Sequence, residues 1–185
     1  MQIRARLAAV AGTIVLVCGL AHAQAPAYAQ APAARAETDL LTYVNHARQA
    51  RGLATLRWDE SLAAAARRHA EVMARHGSAQ HGFEGELSLS ARVKQAGAHF
   101  SWLAENVAQG PTVEFIHSQF MHSAPHLANI LDRDMDSIGV GVVERGGQLF
   151  VVEDFSQARR EIGSSGDRVI GPSDARTERS RQKEN

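Results

Sequence analysis

Three short stretches of the chain carry side chains that could share one chemical task. His81 stands in GSAQHGF, a turn-rich loop behind a helix that Gly77 closes, where a side chain can be presented to a cleft. Glu105 stands in AENVA, between apolar residues and an amide, a setting in which a carboxylate needs a partner. His126 follows Pro125 in SAPHLANIL, at what reads as the end of a helix. Two neutral imidazoles and a carboxylate suit a divalent ion, zinc before others, with His81 and His126 as the ligands. In a hydrolase, Glu105 would serve as general base on the metal-bound water. The spacing is not that of a helical HExxH pair, so these residues meet only if the fold brings three segments together.

Simpler readings stand beside that one. His126 could merely close a helix end, where an imidazolium favours the macrodipole. Ser123 lies near it, but a hydroxyl near a histidine is no triad without an oriented acid and an oxyanion hole. Of the nine histidines, His46, His69 and His76 lie on helices beside arginines or polar neighbours and read as solvated, and His99 and His117 read the same way. The single cysteine, Cys18, lies in the N-terminal apolar run. Its removal with that run would exclude cysteine nucleophiles, thiolate metal sites and disulfides.

That run belongs to a processing signal. MQIRAR is basic, LAAVAGTIVLVCGL is apolar, and AHA ends it with the small-x-small pattern of a cleavage site, so residues 1–23 read as a secretory signal peptide. The apolar stretch is shorter than the ~20 residues a bilayer span asks for. Export to an extracellular or periplasmic location follows, with no stable membrane insertion after processing. Residues 24–36 (QAPAYAQAPAARA) read as an extended, disordered linker, and 158–185 as a flexible polar tail. The chain has 20 basic and 20 acidic residues, so no field of one sign recruits nucleic acid or an anionic membrane.

The elements that must position the three residues lie between those ends. Leu40, Leu41, Val44 and Ala47 recur at helical steps, with Thr38 or Asp39 as cap and Gly52 as stop. Asp59 or Ser61 opens a second, alanine-rich helix whose small side chains predict close packing on a neighbour. LSLSARVKQAG gives a short third helix, and TVEFIHSQFMHS a fourth with Phe115, Ile116, Gln119 and Phe120 on its buried side. WLAENVAQG reads as a weaker strand. DSIGVGVVERGGQLFVVEDFS is a hairpin around Arg145, Gly146 and Gly147. Helices around a small, mainly antiparallel sheet make an α+β domain.

Taken in order, HARQARGLATLRWDESLAAAARRHAEVMA, the loop histidine His81, AEN, HSAPHLANIL, IGVGVV and FVVEDFS resemble the SCP domain of the CAP superfamily. That superfamily takes in cysteine-rich secretory, antigen 5 and pathogenesis-related proteins; this chain is most similar to its cysteine-free bacterial branch, with the domain over 37–157. The resemblance implies a three-layer α-β-α sandwich with a small central antiparallel sheet and a large open cleft. It places the cleft's two histidines on His81 and His126 and the glutamate of its Gly-Glu-Asn motif on Glu105, with Ala104 where the motif has glycine. Its second glutamate falls on Ser123, so the set here is a triad, and Asn129 with Ile130 and Leu131 anchors the segment beneath His126. The implied function is a secreted, monomeric binding module whose cleft takes a small apolar or amphipathic ligand, lipid included, or a cell-envelope component, with zinc optional. The alternative is a divalent-metal-dependent hydrolase in the same cleft.

Overall fold

The computed structural model describes residues 27–158; the expected signal peptide and the polar tail lie outside the described residues. The first helix, α1 (Ala27–Gln49), starts eleven residues before Thr38, the earlier of the two expected caps, and takes up residues 27–36 of the stretch read as an extended linker. Alanine carries the highest helix propensity and fills much of that stretch, Pro32 notwithstanding. Thr38 caps nothing: its hydroxyl donates back to Ala34 O at 3.0 Å, and Thr42 does the same to Thr38 O at 2.9 Å.

A two-residue strand β1 (Arg57–Trp58) leads into α2 (Glu60–His76). Asp59 caps α2 by accepting from the amides of Ser61 and Leu62, and Gly77 ends it in the left-handed region at φ 69°. Next come α3 (Leu89–Gln95), β2 (Phe100–Gly110) and α4 (Val113–His122). The described residues end with α5 (Ala124–Ile130), β3 (Ser137–Arg145) and β4 (Gln148–Ala158). On α4 the buried residues are Val113, Ile116 and Phe120; Phe115 and Gln119, expected inside, are exposed.

The sheet order is β1-β3-β4-β2. The β3–β4 hairpin turns at Gly146 and Gly147, both at positive φ, and β4 pairs antiparallel with β2 as well. The expected antiparallel sheet therefore gains one correction, a two-residue parallel rung between β1 and β3. Helices α2 and α3 cover one face, and α1, α4 and α5 the other. The small side chains of α2 do pack close: a Cβ at Gly139 or Gly141 of β3 would fall 2.1 and 2.2 Å from backbone nitrogens of Ala63 and Arg67. The main core lies on the second face, among Leu40, Val44, Ile116, Phe120, Ile138 and Phe155.

Candidate functional site

Strand β2 is the edge of the sheet and carries Glu105. Because strand residues alternate between faces, Glu105 points with its cross-strand partner Asp154 toward α2 and α3, while Asn106 and its partner Glu153 point toward α1, α4 and α5. The site is built over this edge from both sides.

On the first face the Glu105 carboxylate is buried and doubly engaged. Oε1 accepts from His81 Nδ1 at 2.9 Å, and Oε2 accepts a very short hydrogen bond from Arg92 Nη2 of α3. The His81 side chain is 45% exposed and that of Glu105 only 3%, so the imidazole links a buried anion to solvent. With Nδ1–H given to the carboxylate, Nε2 is the basic nitrogen of the neutral ring.

The loop carrying His81 is held from below. Arg92 Nη1 donates to His81 O and Leu87 O at 3.3 and 3.1 Å. His69, expected to be solvated, is fully buried in α2. Its Nε2 donates to Gln80 O at 2.8 Å, and its Nδ1 lies 2.6 Å from Glu86 Oε1. The other Glu86 oxygen accepts from the amide of Phe83 at 3.2 Å. Buried polar groups are tolerable when paired in this way. Burial of His69 follows from its place on the α2 stripe with Leu62, Ala66, Ala70 and Met73; its arginine neighbours point elsewhere.

On the second face His126 opens a helix and does not close one. Pro125 sits in the first turn of α5, and Ser123 is its N-cap residue without a side-chain capping bond. A cation at a helix N-terminus opposes the macrodipole, so the helix-closing role is overturned. The His126 ring meets Phe120 edge-on at 5.0 Å between centroids. Burial lowers its affinity for a proton, and the nearby charge of His81 lowers it further. The two imidazoles are thus within electrostatic reach.

Amides tie α5 to the edge strand. Asn129 Nδ2 donates to Asn106 Oδ1 at 2.9 Å and to Glu105 O at 3.3 Å. Asn106 Nδ2 donates to His126 O at 3.3 Å and to Glu153 Oε2 at 3.1 Å. Buried Arg48 of α1 locks the turn after α5, donating to Ala54 O, Ile130 O and Asp132 O at 2.8 Å each. Burial raises Glu153 to a pKa of about 8, against the partial relief of its Asn106 bond.

The structure thus brings together His81, Glu105 and Asn129, sets His126 near His81, and leaves Ser123 at a helix start. Sequence reasoning missed Arg92, His69, Glu86, Asn106, Glu153 and Asp154. The acidic pair inside FVVEDF was the available signal, since two adjacent carboxylates in an apolar strand must bury at least one.

For a metal, the donors present fit two imidazoles, with Glu105 orienting His81 as an outer carboxylate does for many metal-binding histidines. Among the described residues no group of three or more His, Cys, Asp or Glu is arranged to hold an ion. A cavity of about 330 Å³ lies elsewhere, at the β1 edge, walled by Leu41, Trp58 and the Glu37–Arg67–Glu60 ion pairs. Among the described residues no helix is long and apolar enough to cross a membrane.

Residues 41–155 match the family described as "Cysteine-rich secretory protein family", CAP. An uncharacterized protein of Bacillus subtilis (strain 168), YkwD, is 32% identical over 111 residues, 60% of this chain and 43% of its own length. Among solved structures, an extracellular protein containing an SCP domain from Bacillus anthracis str. Ames superposes with a TM-score of 0.67 at 21% identity, over 72% of this chain and 44% of that one. An outer surface protein of Borrelia burgdorferi gives 0.63 at 18% identity, over 68% and 94%. The chain spans under half the length of the two Bacillus proteins, and the structural likenesses bear on the fold alone.

Proposed function

Since the chain belongs to the cysteine-rich secretory protein family, we propose that it is an exported binding module that takes a small apolar or amphipathic molecule, or a cell-envelope component, at the β2 edge. The observation that carries this reading is the half-exposed His81 held on the buried Glu105 carboxylate, beside His126. Export agrees with the descriptions of the Bacillus anthracis and Borrelia proteins as extracellular and outer surface. His81 and His126 would hold a divalent ion, zinc in the first place, which would supply Lewis-acid polarisation of a ligand oxygen. Glu105 then orients His81, and Asn129 and Asn106 fix the α5 segment that presents His126.

The experiment is titration of the delipidated protein with sterols, fatty acids and envelope lipids. Saturable binding of at least one, weakened in His81→Ala and His126→Ala, supports the reading. No binding across the panel contradicts it. A hydrolase reading is favoured by one feature, the His81–Glu105 pair, which is the arrangement of a carboxylate-oriented general base. Protein supplied with zinc or magnesium that cleaves no peptide, ester or nucleic-acid substrate removes it.

A further inference from the structure

Ser123 leaves the site without a second carboxyl at the place the resemblance assigns, yet another carboxyl stands beside Glu105. Asp154 is its direct cross-strand partner in the β2–β4 ladder, so the two side chains stand next to each other on the same face. Asp154 is fully buried, and neither of its oxygens receives a hydrogen bond from any N–H. We propose that Asp154 is the second carboxyl of this site, a neutral acid whose hydroxyl donates to the Glu105 carboxylate.

The surrounding charges argue for that state. The groups facing this pocket are Arg92 from α3, His69 from α2, and Glu86 and His81 from the loop between them; β3 contributes only Gly139 beside Asp154. Arg92 is the one guanidinium among them. Its Nη1 and Nη2 are engaged by the carbonyls of His81 and Leu87 and by Glu105, with Glu86 at 3.8 Å, and its buried Nε makes no hydrogen bond to Asp154 or to any other described group. His69 is spent on Glu86 and Gln80. An ionised Asp154 would be a buried anion with no donor, next to a second anion. A neutral Asp154 needs one acceptor, and Glu105 has lone pairs left after His81 and Arg92 take one on each oxygen. Burial and the charge of Glu105 both push Asp154 toward the protonated form, Arg92 opposing them in part. Three donors from three elements then converge on Glu105, and the pair carries one negative charge with which to hold His81.

This inference rests on the His81–Glu105 pair being the site, and the test separates the two. The side-chain carboxyl carbon of Asp154 and the ring of His81 are followed by NMR in the full chain from pH 4 to 9. Asp154→Asn, Glu105→Gln and Glu153→Gln are compared, the last to remove the other raised carboxyl from the spectrum. The Asp154 carbon is expected at its protonated shift at pH 7. Asp154→Asn removes no charge, so the His81 midpoint should move by less than ~0.3 units, whereas Glu105→Gln should lower it by about one unit. An Asp154 carbon already ionised at pH 7, or a His81 midpoint that falls in Asp154→Asn as it does in Glu105→Gln, overturns the proposal. A His81 midpoint indifferent to Glu105→Gln defeats the site reading instead, while the Asp154 carbon still decides the proton. The wild-type carbon needs no variant, so the test survives a substitution that fails to fold.

Discussion

One residue step along β2 and β4 separates two buried polar pairs that solve the same problem by different means. Glu105 and Asp154 face α2 and α3, where Arg92 and two histidines gather on Glu105. Asn106 and Glu153 face the apolar layer of α1, α4 and α5, where only amides and carbonyls meet them. The first face is an ionic cluster that reaches solvent through His81; the second is a neutral brace that holds α5 in place. Charge is kept where a cation is at hand, and it is suppressed where none is.

The largest expected effect comes from removing the cation. Arg92→Met leaves Glu105 buried and Glu86 partly buried without it, and losing one partner of a buried ion pair costs about 3–5 kcal/mol. A thermal melt should show that loss, and adding Glu105→Gln should recover part of it. A melt like wild type would mean that the first face is not ionic.

The second face should respond in the opposite direction. Glu153 is raised from 4.5 to about 8, so the folded chain holds a proton that the unfolded chain releases. The stability it contributes is full below pH 4.5, falls as pH rises, and levels off above 8. Glu153→Gln keeps an acceptor for Asn106 and carries no charge. It should stabilise the domain at pH 7 by on the order of 3 kcal/mol and flatten the melt's dependence between pH 5 and 8. An unchanged slope would place the buried proton elsewhere.

Smaller effects sharpen the contrast. Asn129→Ala strands Asn106 Oδ1 and should cost about 1–3 kcal/mol, with His126 losing its defined position in NMR spectra. Phe115→Ser changes an exposed residue of α4, outside both pairs, and should stay within about 0.5 kcal/mol by chemical denaturation.

Most of the fold was legible because it depends on local signals. Asp59, Gly77 and the Gly146-Gly147 turn each act on their own few residues. The periodicity of Leu40, Val44 and Ala47 is likewise complete within one helix. The family resemblance then drew His81, Glu105 and His126 into one region. What stayed hidden depends on contacts across the chain. His69 has arginines beside it in sequence, and only the direction of the α2 stripe buries it. Arg92 reads as a surface residue of a short helix until β2 brings Glu105 to it from 13 positions away. The start of α5 was lost because Ser123 ends one helix and begins the next, so a single run of residues hid two elements.

The central claim is that the buried Glu105 carboxylate fixes His81 through Nδ1. A long-range nitrogen–proton correlation spectrum of the imidazoles, recorded where His81 is neutral, reads this directly. The account predicts the proton on Nδ1 of His81 in the wild type and a shift toward the Nε2–H form in Glu105→Ala. A wild-type His81 that already carries its proton on Nε2 would contradict it.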